Sequence, residues 1–203
     1  QTRPPTVPAV TPQADSEPAT PYTAFDTSVS KGEPEAFYDG RSNRSLAASL
    51  RKIVQQEGPI VPGLAARRLA ALWGITRVTS RVESRLAEIL AWDSDDRKPV
   101  LIEAVLWPAD LLPEAFDGFR TAGDADADRR DIDDIPLVEV TNAAHLVLRQ
   151  HIAIPRAELA RQAGSLLGFG RCTLRIEERV SEAVEALRRR GLCELRDDMV
   201  QLM

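Results

Sequence analysis

LWGITRVTSRVESRLAE (Leu72–Glu88) and LLGFGRCTLRIEERVSE (Leu166–Glu182) align without a gap, and eight of the 17 positions are identical. The identities are Leu72/Leu166, Gly74/Gly168, Arg77/Arg171, Thr79/Thr173, Arg81/Arg175, Glu83/Glu177, Arg85/Arg179 and Glu88/Glu182. Val82/Ile176 and Leu86/Val180 match in kind. Self-similarity of this density marks an internal duplication. Upstream, IVQQEGPIVPGLAARR and VLRQHIAIPRAELARQ also align once one single-residue gap is allowed. The chain reads as one unit written twice.

Each unit reads as three helices and a short β element. In the first copy Leu46, Leu50, Ile53 and Val54 follow the spacing of one buried helical face. Gly58-Pro59 ends that helix, and Pro62 suits the first turn of the next, where a missing N–H costs nothing. Leu64, Leu69 and Leu72 continue the second helix, and Gly74 stops it. A third helix is expected from about Thr76 to Leu90, with Val78, Val82, Leu86 and Ile89 inward. The second copy repeats the pattern with Val147, Leu148, Pro155, Leu159 and Leu166, a stop at Gly168, then Cys172, Ile176, Val180 and Leu187.

CELRDDMVQLM (Cys193–Met203) alternates apolar and polar residues around Arg196-Asp197-Asp198 and reads as a terminal hairpin. Val100–Trp107 is a less clear equivalent in the first copy. The expected fold class is mainly α with small β-hairpins, as tandem winged-helix (helix-turn-helix) repeats. The boundaries are a Pro-rich linker over 1–44, repeat one over 45–108, an acidic linker over 109–138 and repeat two over 139–203. Units this small bury modest cores, so the copies are expected to pack together or on a neighbour.

The 203 residues, 43% hydrophobic and 28% charged, suffice for one ordinary domain or two small ones. No apolar run approaches the ~20 residues that cross a bilayer, so no membrane partner is expected. Two cysteines cannot form a disulfide framework, which favours the cytoplasm. The chain opens on Gln1 and a linker, as a piece of a longer polypeptide would. The net charge of -5 is uneven along the chain. Residues 45–92 carry +4 and residues 140–203 carry +2, while residues 93–139 between them carry -9. Two basic units flank an acidic one, so the total does not exclude nucleic acid.

With these residues in view, the chain resembles an uncharacterised domain at the C-terminal end of very large bacterial superfamily I helicase proteins. Those proteins also carry a Vsr-like, restriction-endonuclease-type nuclease domain. The resemblance covers residues 36–203. It rests on FYDG (Phe37–Gly40), IVQQEGPI (Ile53–Ile60), WGITRVTSRV (Trp73–Val82), LWP (Leu106–Pro108), DDIPLVEV (Asp133–Val140) and LLGFGRCTLRIEERV (Leu166–Val180). Two places depart from the pattern: the first hairpin lacks a glycine-marked turn, and GDADADRRD (Gly123–Asp131) is unusually acidic. The resemblance implies an accessory module of a DNA- or RNA-processing machine in genome defence, with upstream helicase and nuclease domains as partners. It carries over no catalytic residues.

The candidate nucleic-acid contacts are the arginines of the third helices. Arg77, Arg81 and Arg85 are spaced i, i+4, i+8, and Arg171, Arg175 and Arg179 repeat this, with Thr79 and Thr173 between. On one helical face such forks can meet phosphates or guanine edges in DNA or RNA. Arg67 and Arg68, with Arg156 and Arg161, add phosphate contacts on the second helices. The competing role is salt-bridged surface or contact between copies, since Glu88 and Glu182 follow Arg85 and Arg179 by three residues. If Arg81 and Arg175 point between the copies, a protein-interaction scaffold is favoured.

Cys172, Cys193, His145 and His151 lack zinc-site spacing, and both cysteines fall on apolar positions. Asp124, Asp126 and Asp128 begin like a calcium loop, but Arg129 stands where glycine is needed and Ile135 where the bidentate Glu belongs. No metal or cofactor is expected. The acidic stretch reads as a linker, or as an internal mimic of nucleic acid lying on a basic face. Phosphate-loop, nucleophile-elbow and HExxH motifs do not occur, so neither catalysis nor a small-molecule substrate is expected. Trp73, Trp92 and Trp107 each adjoin an apolar segment and are expected to anchor the cores. The functional expectation is a non-enzymatic nucleic-acid-engaging module. The alternatives are an interaction scaffold or, more weakly, a transcription regulator.

Overall fold

The computed structural model describes residues 19–203, so the run PPTVPAVTP of the expected linker lies outside the described residues. The described chain is mainly helical with small sheets. It begins with β1 (Ala19–Pro21), and the first copy follows as α1 (Asn43–Glu57), α2 (Pro62–Ala71), α3 (Ser80–Trp92), β2 (Val100–Ile102) and β3 (Val105–Trp107). After β4 (Phe119–Thr121), the second copy runs α4 (Leu137–Leu148), β5 (Ala153–Pro155), α5 (Arg156–Leu166), α6 (Leu174–Arg189), β6 (Cys193–Arg196) and β7 (Met199–Leu202).

The apolar periodicity places the buried faces of the helices, although Val78 and Cys172, expected inward on the third helices, lie half-buried in the loops before them. Leu46, Leu50, Ile53 and Val54 of α1 are buried, and Glu57 extends the same stripe into the interior. Pro62 occupies the first turn of α2. Gly74 and Gly168 take left-handed backbones, with φ of 69° and 97°, just beyond α2 and α5. In the second copy β5, β7 and β6 form an antiparallel sheet in that order. The first copy reduces this to a hairpin plus one pair: Ile60 N donates to Leu106 O at 3.0 Å, and Leu106 N to Ile60 O at 2.8 Å. Ile60 thus stands where β5 stands.

Each copy has its own apolar core. One gathers Leu46, Leu50, Ile53, Leu69, Trp73, Val82, Leu86 and Ile89; the other gathers Val140, Val147, Leu159, Ile176, Val180, Leu187, Cys193 and Val200. Phe37 belongs to the first core, while Phe119, Ile132 and Ile135 belong to the second. Both expected linkers are therefore partly structural. Residues 19–44 hold buried Tyr22 and Phe37, and β1 pairs in parallel with β4, which satisfies backbone groups that a solvated linker would leave to water. The segment 109–138 owes its acidity to aspartates set between the apolar residues that anchor it.

The third helices begin later than expected, at Ser80 rather than Thr76. Thr79 has an extended backbone (φ -124°, ψ 167°) and caps α3, as Thr173 (φ -102°, ψ 162°) caps α6. Arg77 and Arg171 accordingly lie in the loops before the helices. Trp73 and Trp107 are buried, but Trp92 is 51% exposed. It sits roughly 80° round the helix from the stripe of Val82, Leu86 and Ile89.

A buried ion cluster joins the copies. Glu57 is fully buried at the end of α1; its carboxylate accepts from Tyr22 Oη, from Phe25 N at 2.7 Å and from Arg68 Nε at 3.0 Å. Glu139, fully buried on α4, accepts from Arg120 Nη2 at 2.5 Å and from Arg130 Nη1 at 2.8 Å. Arg120 also donates to the carbonyls of Glu57 (2.5 Å) and Pro59 (2.6 Å), so one guanidinium spans both copies. Arg130 lies 4.3 Å from the centre of the Tyr22 ring. Burial and the Glu57 hydrogen bond push the Tyr22 hydroxyl up to about 12. Burial pushes the Glu139 carboxyl up, but Arg120 and Arg130 outweigh it and the net shift is downward.

Candidate nucleic-acid interface

The six arginines of the two stripes divide into three kinds of environment. Arg85 and Arg179 are structural. Arg85 is 7% exposed; its Nε donates to Phe37 O and its Nη2 to Asp39 O, both at 3.0 Å, and Nη2 also meets Asn43 Oδ1 at 2.6 Å. Its remaining nitrogen pairs with Glu88 at 3.0 Å. Arg179 does the corresponding work in the second copy, donating to Ile135 O at 3.0 Å and pairing with Glu182 at 2.5 Å. Each arginine thus fixes the chain entering the first helix of its own copy. Neither guanidinium is left to face a groove, which removes both from the contacts that the sequence spacing suggested.

Arg81 and Arg175 are equivalent in sequence and unlike in surroundings. Arg81 is exposed, its guanidinium carbon 3.9 Å from the centre of the Tyr38 ring, and among the described residues it meets no carboxylate within ion-pair distance. An aromatic face orients the fork and leaves its charge intact. Arg175 instead reaches Asp133 Oδ1 through Nε at 2.9 Å and Nη2 at 2.6 Å, and pairs with Glu178 at 2.9 Å. The hydrogen bond from Arg175 holds the Asp133 carboxyl below the usual carboxylate range. Neither Arg81 nor Arg175 is buried between the copies.

Arg77 and Arg171 are exposed in the loops preceding α3 and α6, again without a carboxylate partner among the described residues. Thr173 Oγ1 accepts from Ile176 N at 3.4 Å, so its hydroxyl serves the helix end. Thr79 is exposed at the matching position. On the second helices Arg67 pairs with Asp134, and Arg68 turns inward to Glu57. Arg156 donates to Ser181 Oγ at 2.9 Å, and Arg161 pairs with Glu158 at 2.5 Å. A cavity of about 210 Å³ opens between Arg67, Arg68, Thr76 and Val78, beside the Arg77 loop.

Sequence spacing brought the arginines to notice and named Glu88 and Glu182 as partners of Arg85 and Arg179, but it missed the partners that lie far along the chain. Tyr38 was hidden in FYDG, and Asp133 and Asp134 in a run of acids. Only the placement of FYDG and DDIP just ahead of α1 and α4 hinted that each packs on a third helix. Cys193 is buried, with its thiol 3.7 Å from Val184 O, and burial raises its pKa. His151 Nε2 lies 3.2 Å from Gln162 Oε1. No group of three or more His, Cys, Asp or Glu side chains gathers as a metal site among the described residues. No helix there is long and apolar enough to cross a membrane.

Residues 35–84 match a protein family described as of unknown function, DUF3320. The matched stretch takes in FYDG, α1, α2, Arg77, Arg81 and the first residues of α3, and stops just before Arg85. No curated protein and no solved structure matches the chain.

Proposed function

We propose that this chain is a tandem winged-helix module without catalysis of its own, which engages nucleic acid chiefly through the loop and first turn of α3. In this reading it serves a larger cytoplasmic helicase–nuclease polypeptide, positioning DNA or RNA for the upstream domains. The order of helix, bridge, helix, helix and hairpin, present in both copies, supports the winged-helix assignment. The observation that carries the functional reading is the pairing of Arg77 and Arg81. Both are exposed at the start of α3 with no neutralising carboxylate among the described residues, and Tyr38 holds one of them in place. The hairpin tips do not share this role. Glu103 stands at the first and Asp197-Asp198 at the second, so both would repel phosphate.

A second reading has its own support. β2 exposes Val100 (43%), Leu101 (56%) and Ile102 (36%) along a sheet edge, and Trp92 lies exposed at the end of α3. Such an edge suits a protein partner, so a scaffold docking on another domain is the alternative.

Binding of duplex and single-stranded oligonucleotides across a salt series tests the first reading. Affinity is expected to fall steeply with salt, and Arg77→Glu with Arg81→Glu is expected to lower it at least ~10-fold at low salt. Absence of wild-type binding near ~50 mM salt rejects the nucleic-acid reading and leaves the scaffold.

A further inference from the structure

The two copies place different groups on the same arginine. In the first, Arg81 lies on the Tyr38 ring; in the second, the matching Arg175 carries Asp133 as well as Glu178 of its own helix, where the first copy has Ser84. The next residue, Asp134, reaches across to Arg67 on α2 of the first copy. Adjacent carboxylates therefore cap one guanidinium from each copy, Arg67 on α2 and Arg175 on α6. The acids do not lie there by chance rotation of a loose loop. Ile132 and Ile135 on either side are buried in the second core, and Arg179 holds the Ile135 carbonyl at 3.0 Å.

We infer that Asp133 and Asp134 are a built-in surrogate for two backbone phosphates, occupying Arg175 and Arg67 and confining nucleic-acid contact to the first copy. This rests on the nucleic-acid reading above and deepens it. A carboxylate on a guanidinium fork uses the same N–H donors that a phosphate would, and its charge repels a phosphate approaching the same place. Both aspartates and both arginines lie at or near the surface, where solvent screens their attraction, so the pairs serve stability little. The consequence is a short footprint. Arg77 and Arg81 engage the strand, whereas the face of α6 stays masked although its sequence repeats that of α3.

Fluorescence anisotropy of the 203-residue chain with a 20-base-pair duplex and a 20-nucleotide single strand tests this, each titrated over a salt series. Asp133→Asn with Asp134→Asn is expected to tighten binding by roughly 3- to 10-fold at low salt. The slope of log K against log salt is expected to steepen by about 1, as Arg67 is freed and Arg175 keeps only Glu178. Arg175→Gln is expected to leave wild-type affinity unchanged but to remove part of the gain in the Asn variant. If the wild type binds and the Asn variant matches it in affinity and slope, the surrogate role is wrong while the nucleic-acid reading stands. If neither protein binds, both are wrong. If only the Asn variant binds, the first copy makes no contact by itself, and the inference that contact is confined to it is overturned. The single variant Asp133→Asn, at a side chain 55% exposed, gives the same comparison should the double variant fold poorly.

Discussion

Arg120 Nη2 lies 2.5 Å from Glu139 Oε1, and the same guanidinium donates to the carbonyl of Glu57 in the other copy. Each copy has its own apolar core, and this cluster, with the Arg67–Asp134 pair, ties the two together. Desolvating Glu139 is unfavourable on its own; two guanidiniums and the Arg120 amide, at 2.8 Å from Oε2, offset that cost.

Arg120→Ala removes one of the two guanidiniums on Glu139 and the donor to Glu57 O and Pro59 O. Truncating one partner of a buried charge cluster costs ~3–5 kcal/mol, because the remaining charge stays desolvated. Urea unfolding should show a loss of that size, and a loss below ~1 kcal/mol would place the cluster in effective contact with water. Glu139→Gln, which keeps the shape and removes the charge, leaves two guanidiniums facing each other and is expected to be comparably damaging.

Stability should fall at both ends of the pH scale. The Glu139 pKa is depressed from its ordinary value of 4.5, so its contribution is present above 4.5 and is lost as pH falls through the lower folded value. The Tyr22 pKa is raised from 10.0 to about 12, so its contribution is present below pH 10 and is lost as pH climbs toward 12. A shift of that size corresponds to roughly 2–3 kcal/mol. Tyr22→Phe, which cannot ionise, should flatten the alkaline limb measured by chemical denaturation while leaving the acid limb in place.

Gly74 and Gly168 were legible as stop signals in both copies, yet alanine should not cost the same at each. At Gly74 the φ of 69° is the main obstacle, since the nearest atom to an added Cβ is Pro34 Cγ at 3.6 Å; about 1 kcal/mol is expected. At Gly168 the same Cβ would stand 2.5 Å from Ala122 Cβ and 3.2 Å from its amide nitrogen. Adding that overlap to the backbone strain brings the expected loss to about 2–4 kcal/mol. Thermal denaturation of the two variants side by side checks the difference.

Periodicity made the helices legible because burial of Leu46, Leu50, Ile53 and Val54 depends on spacing alone. It failed where a partner far along the chain decides the outcome. Glu57 continues the apolar stripe of α1 and looks from sequence like a solvated end, but Tyr22, 35 residues upstream, waits to donate to it. For Arg85 the sequence left two roles open, a nucleic-acid contact or a pair with Glu88, and neither names its backbone partners. Arg85 lies close enough to the apolar face to reach back to Phe37 O and Asp39 O, and no local pattern encodes that. The basic and acidic blocks were visible, but which aspartate meets which arginine depends on how Ile132 and Ile135 anchor the segment between them.

The missing glycine in the first hairpin has a structural cost. Ile102 pairs with Val105, so Glu103 and Ala104 form a two-residue turn, and both take left-handed backbones with φ of 49° and 60°. Tight hairpins of this kind favour Asn-Gly or Asp-Gly, because a Cβ is strained there. Ala104→Gly should therefore stabilise the protein by about 0.5–1 kcal/mol, after allowing for the greater freedom of glycine in the unfolded chain. A shift of the urea midpoint to higher concentration at unchanged m-value is the expected result. A shift to lower concentration would mean that the turn relaxes in solution.

Arg81 and Arg85 lie one turn apart on α3 and should separate binding from folding. Arg81→Gln removes an exposed charge resting on Tyr38, so stability should change by no more than ~0.5 kcal/mol while nucleic-acid affinity drops and its salt slope becomes shallower. Arg85→Gln strands the carbonyls of Phe37 and Asp39, which its guanidinium satisfies at 3.0 Å, and should cost ~2–3 kcal/mol. Because Phe37 and Asp39 flank Tyr38, loosening them also unseats the ring beneath Arg81, so a secondary loss of affinity is expected without any direct contact. Partial rescue by Arg85→Lys, which restores one donor and the charge, would mark Arg85 as a positioning residue. Full affinity in Arg85→Gln, with stability reduced, would show that Arg81 needs no support from the Tyr38 ring. Unchanged stability in Arg85→Gln would mean that water replaces the guanidinium, and that the entrance to α1 is wetter than its 7% exposure implies.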